Sequence, residues 1–193
     1  MHRLFLRLAR FSAVLGGIVL TLLILLTVVS VMGRSGNTIL HLDWVETIAP
    51  AFSQRLLDMG VGPVLGDFEL VEAGIAFAIF AFLPLAQITG GHATVDIFTS
   101  RLPESVNRVL VMVWEVLFAI VLVVIAWRLY AGMAGKMRYG ETTFMLQFPV
   151  WWAYGASFGA SCVAALVGVY VAMVRIAETL TGRFILPSGG TGQ

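Results

Sequence analysis

The sequence predicts an all-α integral membrane protein with four transmembrane helices and short interfacial amphipathic helices. Three observations predict it. Of 193 residues, 59% are hydrophobic and 12% charged, and the mean hydropathy is +0.93, more apolar surface than a soluble domain of this size uses. The apolar residues collect in runs long enough to cross a bilayer. The charges collect between the runs, so the formal net charge of +1 hides an uneven distribution.

The first run, Phe11 to Gly33, holds 23 residues without a charge between Arg10 and Arg34. Arg3, Arg7 and Arg10 in front resemble a secretory signal, but the apolar core of a signal is about 7 to 15 residues long and ends in small residues. Val29-Ser30-Val31-Met32 does not fit such a site, so the segment reads as an uncleaved anchor. After it, over residues 38–58, Leu42, Val45, Ile48, Ala49, Phe52 and Leu56 recur at helical spacing opposite Asp43, Glu46, Gln54 and Arg55. This is the pattern of an amphipathic helix, lying on the outer surface or packed on a partner. Gly60, Gly62, Pro63 and Gly66 end it in a turn.

The second span, about residues 70–91, has an acidic threshold (Asp67, Glu69, Glu72) and a 19-residue uncharged run from Ala73 to Gly91. At 1.5 Å per residue that run covers about 28 Å, close to a bilayer's hydrocarbon thickness. Pro84 removes one helical hydrogen bond within it and is expected to bend the helix. The third span, about 109–130, is stricter: only 12 uncharged residues separate Glu115 from Arg128, about 18 Å of helix. One of the two must sit at depth or snorkel to an interface. Trp127 and Tyr130 place Arg128 near an end, so Glu115 is the deeper group. The fourth apolar run, Thr142 to Val174, has 33 residues and is too long for one straight crossing. Pro149 divides it and suits a first helical turn. The span is then 149–174, opened by an aromatic belt of Trp151, Trp152 and Tyr154, with Thr142 to Phe148 in the interface. One four-helix domain over 1–186 and a disordered tail over 187–193 complete the expected organisation.

Lys and Arg set the orientation. With the N-terminus inside, Arg3, Arg7, Arg10, Arg101, Arg108, Arg175 and Arg183 are cytoplasmic, against Arg34, Arg55, Lys136 and Arg138 outside, so both termini are expected in the cytoplasm. No basic face or aromatic-basic interleaving suggests nucleic acid. The single cysteine, Cys162, lies in an apolar run, which rules out an internal disulfide and a thiolate metal site.

Few polar residues are candidates for chemistry. Glu69 and Glu72, three apart, share a face at a helix N-terminus, where the dipole favours carboxylates; they serve as caps or meet a basic residue of a neighbouring subunit. His92 and Asp96, four apart, fix the loop after span two or touch a partner. Two such ligands are too few for a metal site, and without a nucleophile the pair is not catalytic. Glu115 forms an interhelical hydrogen bond or ion pair, since a proton relay needs further deep ionisable groups and the sequence offers none. Ala156, Ala160, Ala164 and Gly168 recur every four residues beside Gly155 and Gly159, a stripe that lets a helix approach closely, from this bundle or from another protein. No cofactor, metal or catalytic group is expected.

These segments, taken in order, resemble the small membrane subunit of tripartite ATP-independent periplasmic (TRAP) transporters, the DctQ-like proteins. The resemblance lies in Gly66-Asp67-Phe68-Glu69-Leu70-Val71-Glu72, Phe82-Leu83-Pro84, Gly91-His92-Ala93-Thr94-Val95-Asp96, Glu141-Thr142-Thr143 and Pro149-Val150-Trp151-Trp152-Ala153-Tyr154. The outer segment from about Ser35 to Pro63 departs from it by being longer than the family's usual connection. The resemblance implies a non-enzymatic scaffolding subunit of the bacterial inner membrane. Its partners would be a large membrane subunit, which holds the substrate and sodium sites, and a periplasmic solute-binding protein that delivers an organic anion such as a carboxylate. Two rivals are a self-associating ion channel centred on Glu115 and a haem-holding redox anchor. The second is opposed by His2, His41 and His92, which all fall outside the spans.

Overall fold

A computed structural model describes residues 2–42, 47, 50–90 and 103–181. The chain forms α1 (His2–Leu40), α2 (Pro50–Asp58), α3 (Asp67–Ile88), α4 (Glu104–Tyr139) and α5 (Trp151–Thr181). All but α2 are long and apolar enough to cross a membrane. His92, Asp96, Arg101, Arg183 and the tail 187–193 lie outside the described residues, as does part of the segment 38–58. What is described of that segment is divided between the end of α1 at Leu40 and the separate α2, with the Ser53 hydroxyl donating to the Leu40 carbonyl.

A spanning helix must satisfy its polar groups internally, and several threonines here do so locally. Thr21 and Thr27 of α1 donate their hydroxyls to the carbonyls of Gly17 and Leu23, four residues back, each at 2.8 Å. Thr89, Thr179 and Thr181 repeat the device on the Leu85, Arg175 and Ala177 carbonyls.

The four long helices form a row rather than a closed bundle. Alpha-1 packs on α3, α3 on α5 and α5 on α4, with a smaller contact between α1 and α5. Small residues set each approach. Gly16 of α1 faces Ala78 and Ala81 of α3, where an added Cβ would come within 2.9 Å of the Ala81 Cβ. Gly132 of α4 lies under the Tyr154 ring of α5, at 2.7 Å for a Cβ. Gly168 of α5 leaves room for Gln87 of α3 and Leu122 of α4.

Alpha-5 is the central helix, burying half of its apolar window against 11% to 17% for the others. Two apolar clusters lie along it. Leu122, Ala164 and Ala165 collect Leu83 and Phe118; Ala9, Ile88, Val167 and Val171 collect Phe5, Leu6, Leu85, Tyr170 and Val174. In the second, the Phe5 and Tyr170 rings stack at 4.1 Å and tie the start of α1 to the far part of α5.

The connection from α4 to α5 is hydrogen-bonded throughout its turn. Gly140, at φ 61°, ends α4 with the paired bonds of a Schellman motif, from the Gly140 N–H to the Met137 carbonyl and from the Glu141 N–H to the Lys136 carbonyl. The segment from Glu141 to Val150 is a folded loop: the Thr143 N–H donates to the Phe148 carbonyl and the Val150 N–H to the Glu141 carbonyl. Pro149 bridges to Thr142 and precedes α5, which starts at Trp151, so it stands just before the first turn rather than within it.

Candidate functional site

Glu69 organises one end of the molecule. One carboxylate oxygen accepts the Met145 N–H at 2.6 Å and the other the Leu146 N–H at 3.0 Å. A carboxylate on the first turn of α3 therefore holds the tip of the α4–α5 loop, more than 70 residues on in the chain. Gly66, just before α3, makes this possible. It sits in the left-handed region at φ 74°, and an added Cβ would fall 2.3 Å from the Leu146 Cγ.

Beside this clamp, α1 is tied to the start of α3. The Ser30 hydroxyl donates to Asp67 Oδ2 and accepts the Val64 N–H at 3.3 Å, while Arg34 stands 3.6 Å from the same carboxylate. Lys136 at the end of α4 pairs with Glu141.

Between α3, α5, Leu129 of α4 and the loop lies a cavity of about 470 Å3. Glu69 and Glu72 stand at its threshold. The Phe80, Phe144, Phe148 and Tyr154 rings line it, as do Ala73, Ala76, Ala153 and Ser157. Ser157 is 2% exposed, and its hydroxyl has no hydrogen-bond partner among the described residues.

Of the residues singled out from sequence, Glu69 and Glu72 share this cavity. Glu115 is half-buried on α4 and Arg128 exposed on the same helix, and neither lines it. The small-residue stripe divides. Ala160, Ala164 and Gly168 are buried inside the row, whereas Ala156 and Gly159 are exposed, with open space where a Gly159 Cβ would stand. Gly155 faces the Met133 sulfur, 3.4 Å from an added Cβ.

Three polar features were missed. Arg175, which the charge distribution assigned to a loop, lies inside α5, buried and paired with Glu178 at 2.8 Å. The i,i+3 spacing signalled the pair, but not its burial. Gln87, 2% exposed beside Gly168, has no partner for either side-chain polar atom among the described residues. The third is the Ser30–Asp67 tie, for which the acidic threshold was the only signal.

No group of three His, Cys, Asp or Glu able to hold a metal occurs among the described residues. What the cavity offers is the negative charge of Glu69 and Glu72, aromatic faces and the buried hydroxyls of Thr143 and Ser157. Groups of this kind are chemically complementary to a cation on an apolar stem.

Neither the curated proteins nor the solved structures gave a match to this chain. A family model does match: the DctQ component of tripartite ATP-independent periplasmic transporters, over residues 52–180. That range takes in α3, α4 and nearly all of α5, and with them the Glu69 clamp, the cavity and the row's central helix. The chain belongs to the DctQ family, the small membrane component of TRAP transporters.

Proposed function

We propose that this subunit braces the large membrane subunit of a TRAP transporter in the bacterial inner membrane, both termini cytoplasmic. The assembly would carry out sodium-coupled uptake of an organic anion, such as a carboxylate, handed over by a periplasmic solute receptor. The chain's part is mechanical. The observation behind this reading is the row of helices. A path for a polar solute must be walled by protein on all sides. Among the described residues, four helices side by side leave open apolar faces and enclose no such path. The same faces suit a support that lies along a larger protein. Family membership supports the partners and the transport class.

Reconstitution tests the proposal. Liposomes holding the large subunit and this chain, with receptor outside and an inward sodium gradient, should take up substrate. Omitting this chain should abolish uptake. Uptake by liposomes holding this chain alone would refute the bracing role.

A further inference from the structure

Resting on that accessory role, the geometry points to a more specific contact: the Glu69–Glu72 cavity receives a lysine or arginine side chain from a helix of the large subunit. The two carboxylates lie three apart on one face of α3, at the threshold of its uncharged run. Glu69 is committed to the Met145 and Leu146 amides. Glu72 is exposed and joins no ion pair among the described residues. Its charge faces an opening that no Lys or Arg lines among the described residues: Lys136 is held by Glu141, Arg34 stands by Asp67, and neither Arg55 nor Arg138 lines the cavity.

The rest of the cavity suits the remainder of such a helix. Ala73 and Ala76 let a backbone approach α3 closely. From Glu69 to Phe80 is about 16 Å along the helix axis, or roughly three turns. A visiting helix can place its cationic head at Glu72 and an apolar side chain among Phe80, Phe148 and Tyr154. The aromatic faces favour guanidinium or ammonium, and the head's stem lies on apolar surface. Ser157, buried and unpartnered among the described residues, is then offered a donor or acceptor that this chain does not provide. A charge accepted here is neutralised at the membrane threshold, where an uncompensated one would be costly to the partner.

The test is recovery of the co-expressed large subunit on tagged full-length chain in mild detergent. Glu72→Arg and the cavity-filling Ala76→Trp should each lower recovery by about tenfold or more, and Glu72→Asp should retain it. Circular dichroism of each purified variant should match the wild type, since Glu72 is exposed with no hydrogen bond or ion pair among the described residues and Ala76 borders the cavity. Exchanging one basic residue of the partner for glutamate should restore the complex with Glu72→Arg. Unchanged recovery for Glu72→Arg would overturn the contact. So would native mass spectrometry showing an aminophospholipid held by the wild type and lost from Ala76→Trp while the complex persists, because the cavity would then be a lipid site. If even the wild type recovers no large subunit, the accessory role itself fails, a distinct result.

Discussion

Gln87 illustrates how much a single side chain can cost in a membrane protein. Its amide is 2% exposed and wedged against Gly168, where an added Cβ would meet its nitrogen at 2.9 Å, yet neither polar atom has a partner among the described residues. A buried amide without a hydrogen bond costs about 1–3 kcal/mol. Methionine has nearly the same length and no such requirement, so Gln87→Met should stabilise the chain by about 1–2 kcal/mol. Thermal or denaturant unfolding in detergent measures it, and destabilisation would mean that the amide is bonded in the protein. Glu69 is the opposite case, a carboxylate with both oxygens in use. Neither fate was legible in the sequence. Gln87 stood inside an apolar run with nothing to mark its neighbours, and the partners of Glu69 lie on another connection, reached only once α3 and α5 have packed. What sequence did give was the spacing of Glu69 and Glu72 on one face, and it is that pair which frames the cavity.

Among the elements, α5 shows why a stripe of small residues does not by itself assign an interface. Ala160, Ala164 and Gly168 are buried in the row, while Ala156 and Gly159 look outward from the same helix. Identical spacing therefore serves contacts within the chain at one stretch and leaves open surface at the other, and periodicity cannot separate the two. Substitution can. Gly168→Val must displace Gln87 and Leu122, which lie 2.9 and 3.2 Å from an added Cβ, and overpacking of this kind costs about 1–3 kcal/mol. Gly159→Val meets nothing within 4 Å and should leave the isolated chain's melting unchanged. Comparing the two melting curves in one detergent checks this. A large loss at Gly159 would place a neighbour where the row has none.

At the scale of the whole molecule, the spans were legible because lipid imposes length and apolarity on every crossing. Their neighbours were not, because apolar residues face lipid and protein alike, so the order α1, α3, α5, α4 left little trace in the hydropathy. Orientation rests on charge. Arg175 lies within α5, but beside the stretch that packs on the start of α1, so it stays in the set of seven against four at the other end. Arg3, Arg7 and Arg10 lie in the first helix, ahead of its apolar stretch, where positive charge has most influence on insertion. In the proposed orientation, the Glu69 end of the row faces the periplasm, together with the cavity and its loop. Cys162 is the single native cysteine, so a Cys162→Ala background is free of thiols. In it, Ser35→Cys, at the Glu69 end, should react with an impermeant maleimide on spheroplasts. Leu180→Cys, at the opposite end, should react only after permeabilisation. The reverse pattern would invert the topology, put the cavity on the cytoplasmic side and remove any role for the loop in meeting a periplasmic receptor.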